Sequence, residues 1–445
     1  MRISRGHKFK LDPTDAQAEA FARNVGVCRV VYNLALEQRR DHYRQFRRAT
    51  GYGISFASQC RELTELRADV EWIADGSLTA QQQALRDLAA AYSNFFSGRA
   101  EYPTFRRKGV NESFRFQGRE VTFRRLNKSW GLVKLPKIGE VRFRWTRDIP
   151  SKLKNATISL NPLGWHISFS TEVEVEIGRN FGPAVGVDRG IVEAVAYSDG
   201  TFADFPKARI KGLDKKARRA ARALSRCRKG SNRRKVAKAR VAALRAKAAR
   251  VRKHFHHVET ARLARKFGVV CIEALKTRDM TASAKGTVAE PGRNVRQKAG
   301  LNRAILERGW HQFETFLSYK IAANGGTLIK VPAAYTSQTC SGCGSISKHH
   351  RKSQAVFECS DCGHSANADT NAAINILRAG TRPSGREPVT APMNRKSPLE
   401  APASWPDARQ EITVLQVGED VNRKGSSEGD GSATITSDNS KGRVE

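Results

Sequence analysis

The strongest constraint on this chain is a pair of cysteine knuckles, Cys340-Ser-Gly-Cys343 and Cys359-Ser-Asp-Cys362, separated by fifteen residues. Two such pairs at this spacing let four thiolates converge on one tetrahedral metal ion, and zinc is the ion that four sulfurs suit. Four sulfurs also close the coordination shell, so the expected zinc holds structure and offers water no open position. Each knuckle is followed by glycine, Gly344 and Gly363, as a backbone that turns tightly to aim its amides at sulfur requires. His349, His350 and His364 lie nearby in sequence, but four thiolates need no fifth ligand. Cys28, Cys60, Cys227 and Cys271 are scattered and read as reduced thiols, unlike a secreted disulfide framework.

Charge narrows the partners. The 445 residues carry 79 Lys and Arg against 43 Asp and Glu, a formal net of +36. A compact chain so charged repels itself unless a polyanion neutralises it, and nucleic acid is the commonest large polyanion. The basic residues concentrate in 207–253, where 21 of 47 are Lys or Arg and Asp214 is the only acid. Gly230-Ser231-Asn232 interrupts the stretch, which predicts two basic helices in a hairpin facing phosphate. Residues 380–445 differ: nine basic and ten acidic residues among Pro, Gly and Ser predict a disordered tail. The chain starts without an apolar leader-like stretch and contains no apolar run of membrane-spanning length, so the expected location is cytoplasmic.

The hydrophobic period divides the rest. Residues 1–12 read as a strand and 14–48 as two helices, the first capped by Thr14; 78–96 reads as a further amphipathic helix, giving a helical domain over 13–100. From 112 to 178 the period is two, as in SFRFQ, GLVKLP and EVRFRW, with a hairpin turning at Asn161–Gly164; this predicts an antiparallel sheet or small barrel. Three short strands follow, AVGVD, VEAVAYS and TFADF. Beyond the basic hairpin come the strand FGVVCIEAL, a polar loop over 281–298, one amphipathic helix over 301–326, the strand TLIKVP, the cysteine knuckles and a last short helix.

Three carboxylates occupy telling places in that order. Asp188 ends the first apolar strand, Glu273 ends the fourth, and Asp369 begins the last helix. Each alone has an ordinary explanation as a turn former or cap, although a glutamate abutting an apolar strand is desolvated unless a cation meets it. Together they follow the ribonuclease H-like arrangement, with acids on two adjacent central strands and the final helix. Two magnesium ions roughly 4 Å apart relieve the mutual repulsion of such a trio, one activating water and the other stabilising the leaving 3′ oxygen.

These motifs are recognisable. The stretches HKFKLDPTDAQAEAFARNVGVCRVVYNLAL, QQQALRDLAAAYSNFFSGRAEYPTFRRKG, VGVDRGI, CIEAL, YTSQTCSGCG and FECSDCGHSANADTNAAINIL, spanning about residues 7–378, resemble the TnpB (OrfB) proteins of bacterial insertion sequences, compact relatives of type V CRISPR effector nucleases. The resemblance implies a multidomain α/β protein. Residues 1–12 and 105–178 would form a wedge-type β-barrel, with 13–104 a helical recognition lobe. Residues 182–333 and 365–379 would form a RuvC nuclease domain with a zinc ribbon, 334–364, inserted. It implies Asp188, Glu273 and Asp369 as catalytic magnesium ligands and Cys340, Cys343, Cys359 and Cys362 as zinc ligands. It also implies a guide RNA made from the element's own end, double-stranded target DNA cut beside a short motif, and a single protein copy per RNA. Asn367 departs from the aspartate that many relatives carry there. Two other readings use the same residues. Direct strand transfer replaces water by a 3′ hydroxyl, and a nuclease-dead RNA-guided repressor would lack one of the acids, all of which are present here.

Overall fold

The computed structural model describes residues 2–46, 51, 53–150, 152–174 and 176–382. The expected disordered tail lies outside the described residues beyond Arg382; its first residues, Gly380 and Thr381, complete the last helix.

The N-terminal half is built on a seven-stranded antiparallel sheet. Its strands are β1 (Arg2–Asp12), β2 (Ser113–Gln117), β3 (Thr122–Arg125), β4 (Trp130–Leu135), β5 (Gly139–Arg144), β6 (Leu153–Asn161) and β7 (Gly164–Glu174), in the order β2-β6-β7-β1-β5-β4-β3. β1 divides its pairing: Arg2–Lys10 bond to β7, whereas Leu11 and Asp12 bond to β5. Period-two patterning does the sorting. Phe9, Leu11, Val141, Phe143, Ile167 and Phe169 are buried on one face, while Lys8, Lys10, Arg142 and Arg144 alternate with them on the exposed side.

Helices α1 (Asp15–Gln45), α2 (Phe56–Asp69) and α3 (Leu78–Phe96) pack against that core. Thr14 caps α1 in a reciprocal box with Gln17. The expected pair of helices over 14–48 is one helix of 31 residues. Gly26 falls inside it at a cost of only about 1 kcal/mol, and the buried stripe Phe21, Val25, Cys28, Tyr32, Ala35 continues through it without a phase change.

The second half is a four-stranded sheet, β11-β10-β8-β9, formed by β8 (Ala184–Asp188), β9 (Ala196–Tyr197), β10 (Val269–Glu273) and β11 (Thr327–Val331). β8, β10 and β11 run parallel and β9 antiparallel. The expected strand VEAVAYS shrinks to two residues. TFADF leaves only an isolated bridge between Phe202 and Ala196, because the chain turns at Gly200 and folds back to pair immediately. The basic stretch is the expected hairpin, α4 (Lys207–Ser225) and α5 (Asn232–Lys266), hinged at Gly230 and capped by Ser231.

The helix expected over 301–326 is two helices, α6 (Val295–Arg308) and α7 (Trp310–Ala323), and α6 begins inside the expected polar loop. Gly309 breaks them in the left-handed region at φ 67°, where a Cβ would lie 2.9 Å from the His256 ring. That ring sits between the Arg308 carbonyl and the Gln312 side chain. The two-stranded hairpin β12 (Val356–Glu358) and β13 (Ser365–Asn367) leads directly into α8 (Ala368–Thr381).

Candidate functional site

Strand parity assembles the acids. Gly186 and Asp188 point to the same face of β8, and Cys271 and Glu273 to the same face of β10. α8 covers that face so closely that a Cβ on Gly186 would lie 2.0 Å from the Ala373 carbonyl oxygen, and one on Gly380 would lie 2.3 Å from the Cys271 sulfur. Val185, Val187, Val270 and Ile272 face the opposite way, into a core shared with Phe313 and Leu317 of α7. Asp188 and Glu273 therefore end neighbouring parallel strands on the side covered by α8, whose first turn carries Asp369.

Each of the three carboxylates holds its proton more tightly than an ordinary carboxylate of its kind. Burial pushes Asp188 up to about 7, reinforced by the charges of Glu273 and Asp369 and opposed by Arg351. Burial raises Glu273 against the Thr336 hydroxyl and Arg189, and raises Asp369 against Arg351. Thr336 donates its hydroxyl to Glu273 Oε1, and Arg351 Nη2 donates to Asp369 Oδ1 at 3.1 Å. Among the described residues the acids do not form a single cluster of ligand atoms within 4.8 Å, as the cysteines do. Desolvated, mutually repelling carboxylate oxygens are the donor type that hard divalent cations such as magnesium prefer.

The four cysteines meet as expected. The Cys340–Cys362 and Cys343–Cys359 sulfur pairs are each 3.7 Å apart, and all four sulfurs lie within 4.8 Å of one another. A tetrahedron with metal–sulfur bonds of about 2.3 Å has edges of about 3.8 Å, so the cage fits zinc. Gly344 and Gly363 take φ of 84° and 70°, which explains their place after each knuckle. Burial raises the Cys340 thiol, but hydrogen bonds from the Cys343 and Gly342 amides and from the Cys359 and Cys362 thiols together bring it down to about 7, favouring the thiolate that a metal takes. His364 contacts Ser341, and buried His350 lies 3.8 Å from the Cys359 sulfur beside Ser360.

Several residues outside the expected set tie the two centres together. Asn367, the departure noted above, caps α8 by accepting from the Asp369 and Thr370 amides, a task asparagine performs as well as aspartate. Asn371 accepts from the Ser341 amide at 2.9 Å and donates to the Thr339 carbonyl, and Asn375 donates to the Thr336 and Thr339 carbonyls. Arg378 donates to the Ser341 carbonyl. One helix face, at i, i+4 and i+7, is thus stitched to the first cysteine knuckle.

A second feature lies where β1 and β7 approach α5. Lys8 is held below its ordinary value by burial and by Lys253, and His166 by burial together with Lys8, Lys10 and Arg250. Burial brings His257 down to about 4, with Lys320, Lys253 and Arg147 adding to it. Positive charge is crowded there across two layers of the protein. Among the described residues, no helix is long and apolar enough to cross a membrane.

Comparison with known proteins places this architecture. The chain aligns with the protein of a Cas12f1–sgRNA–target DNA complex at TM-score 0.52 and 15% identity, covering 82% of this chain and 83% of that one. It aligns with the mini-RNA-guided endonuclease CRISPR-Cas_phi3 at TM-score 0.50 and 11% identity, over 85% and 92%. The mixed α/β fold of this chain therefore resembles that of these two proteins. Family models match residues 1–48 ("Helix-turn-helix domain"), 168–284 ("Probable transposase", OrfB of IS605 type) and 310–376 ("Cas12f1-like, TNB domain"). The first match covers a strand and one unbroken helix here. "Putative RNA-guided DNA endonuclease InsQ" of Escherichia coli (strain K12) is 38% identical over 384 residues, covering 85% of this chain and 93% of its own. A Streptomyces pristinaespiralis protein of the same description is 32% identical, covering 85% and 90%. The chain belongs to the TnpB/OrfB family of IS605-type insertion sequences, related to Cas12f.

Proposed function

We propose that this chain is an RNA-guided DNA endonuclease that hydrolyses phosphodiester bonds at Asp188, Glu273 and Asp369. The observation that carries the reading is the convergence of these acids from two neighbouring strand ends and the covering helix, each with its affinity for protons raised by burial. Groups held in that state are stabilised by a positive ligand, and the trio would hold magnesium, which supplies charge neutralisation and activation of water for in-line attack on phosphorus. The oxygen of water bonds to phosphorus as the bond to the 3′ oxygen breaks. Asp188 and Glu273 hold their side of the site through the strands. Asp369 holds its side through α8, which the zinc ribbon anchors. Thr336 orients Glu273 by hydrogen bonding one oxygen and leaving the other free.

The cationic junction of Lys8, Lys10, Arg250 and Lys253, continued by the basic hairpin, suits a phosphate backbone. We assign it to a guide RNA made from the element's end. Base pairing then reads the target while protein contacts read backbone geometry and a short adjacent motif. In this reading 1–12 and 105–178 form the wedge barrel, 13–104 the recognition lobe, 182–333 and 365–379 the RuvC domain, and 334–364 the zinc ribbon, one copy serving each RNA. Asp188→Ala tests the assignment. It should abolish magnesium-dependent cutting of guided double-stranded DNA while RNA and target binding persist, and normal cutting would refute it. Labelled element ends in the same assay separate hydrolysis from strand transfer, which would yield joined products.

A further inference from the structure

The ladder between β8 and β10 ends at the pair Val187 and Ile272, one residue before each carboxylate. No rung of that ladder joins Asp188 to Glu273 directly, although each is paired on its other side, with Ala196 and Val331. Arg189 stands at that point. Its side chain alternates to the face opposite Asp188 and is 3% exposed as a residue. Nη2 donates to the backbone carbonyl of Glu273 itself. Nη1 donates to Glu314 Oε2 at 3.0 Å and to the Trp310 carbonyl at 3.4 Å, both on α7. Glu314 is held in turn by Lys330 of β11. The residue after the first acid is thus clamped to the backbone of the second, and the clamp is anchored to a helix and to a third strand.

We propose that Arg189 is a positioning residue that sets the spacing of the Asp188 and Glu273 carboxylates, and through it the affinity of their site for divalent cations. The inference rests on the reading of these acids as metal ligands. A planar fork reaching two elements at once cannot be replaced by a point charge, so the role belongs to the guanidinium and not to positive charge alone. Geometry and charge also predict opposite outcomes. Removing a nearby positive charge, by itself, tightens cation binding; removing the clamp loosens it.

The test is Mn2+ binding, followed by electron paramagnetic resonance on the zinc-loaded full chain free of nucleic acid. Asp188→Ala identifies the sites belonging to the acids. Arg189→Met should weaken binding at those sites about tenfold or more, and Arg189→Lys should weaken it nearly as much, with zinc content and guide-RNA binding unchanged. Glu314→Gln, which keeps Arg189 but removes its anchor, should weaken binding severalfold and decides the matter if Arg189→Met does not fold. Equal or tighter Mn2+ binding by folded Arg189→Met, or by Glu314→Gln in that case, overturns the inference. If Asp188→Ala itself leaves Mn2+ binding intact, the metal-ligand reading fails instead.

Discussion

Arg351 of the zinc ribbon and Asp369 of the last helix form an ion pair at 3.1 Å, although the two cross from different elements. The guanidinium lies against the third acid and also lowers the proton affinity of Asp188. Arg351→Met should therefore raise both carboxylates further. The acid limb of the cleavage pH profile should move upward, by about half a unit or more, with target binding intact. An unchanged limb in a folded variant would show that the pair is incidental.

The zinc site should be coupled to cutting through α8. Cys359→Ser removes a ligand and should lower the melting temperature and zinc content together with cleavage. A zinc-free, soluble Cys359→Ser protein with full activity would break the link. Asn371→Ala is the gentler probe: it strands the Ser341 amide at about 1–3 kcal/mol, while the Thr339 carbonyl keeps its bond from Asn375. Cleavage should fall more than zinc occupancy.

Proton and metal should compete at Asp188. The ordinary aspartate value is 3.8 and the folded value about 7, so the folded protein binds the proton more tightly than the unfolded chain. Without divalent ions, stability should fall as pH rises from about 4 to about 7 and level off above. Magnesium should remove that loss near neutrality, and the magnesium needed for half-maximal cutting should rise as pH drops below 7. Melting curves across this range, with and without magnesium, check the sign.

Gly186→Ala places a methyl 2.0 Å from the Ala373 carbonyl oxygen. The helix must shift, at about 1–3 kcal/mol, and Asp369 moves with it. Cutting should drop by more than the stability loss explains. Thermal unfolding with a single-turnover cleavage assay separates the two.

The basic junction should show itself in salt dependence. Lys8→Gln and Lys253→Gln should each weaken guide-RNA binding and reduce the slope of log affinity against log salt by somewhat under 1. A slope unchanged in the double variant would place the RNA elsewhere.

Much of this was legible in the sequence, and what was missed has a common cause. The cysteine spacing, the strand-end positions of Asp188 and Glu273 and the basic hairpin are local patterns, written within a few residues of one another. Thr336 on Glu273, Arg189 on Glu314 and Asn371 on Ser341 join residues 63, 125 and 30 positions apart, and no hydrophobic period encodes such crossings. One signal was available. Asn371, Asn375 and Arg378 share a helix face, and asparagine is a poor helix former, so two of them in one short helix mark a buried polar seam. The divided helix at Gly309 and the intact helix through Gly26 show the converse. The same residue breaks or continues a helix according to what its neighbours pack against.

The order of the acids along the chain has a consequence in time. Asp188 and Asp369 are 181 residues apart, so at synthesis rates of 5–20 residues per second the ribosome needs roughly 10–40 s to pass from one to the other. The large sheet precedes that interval, and the basic hairpin and Glu273 are added during it, before Asp369 is made. The acid trio is therefore the last feature of the fold to be completed, after both sheets' first strands and the whole basic hairpin have left the ribosome.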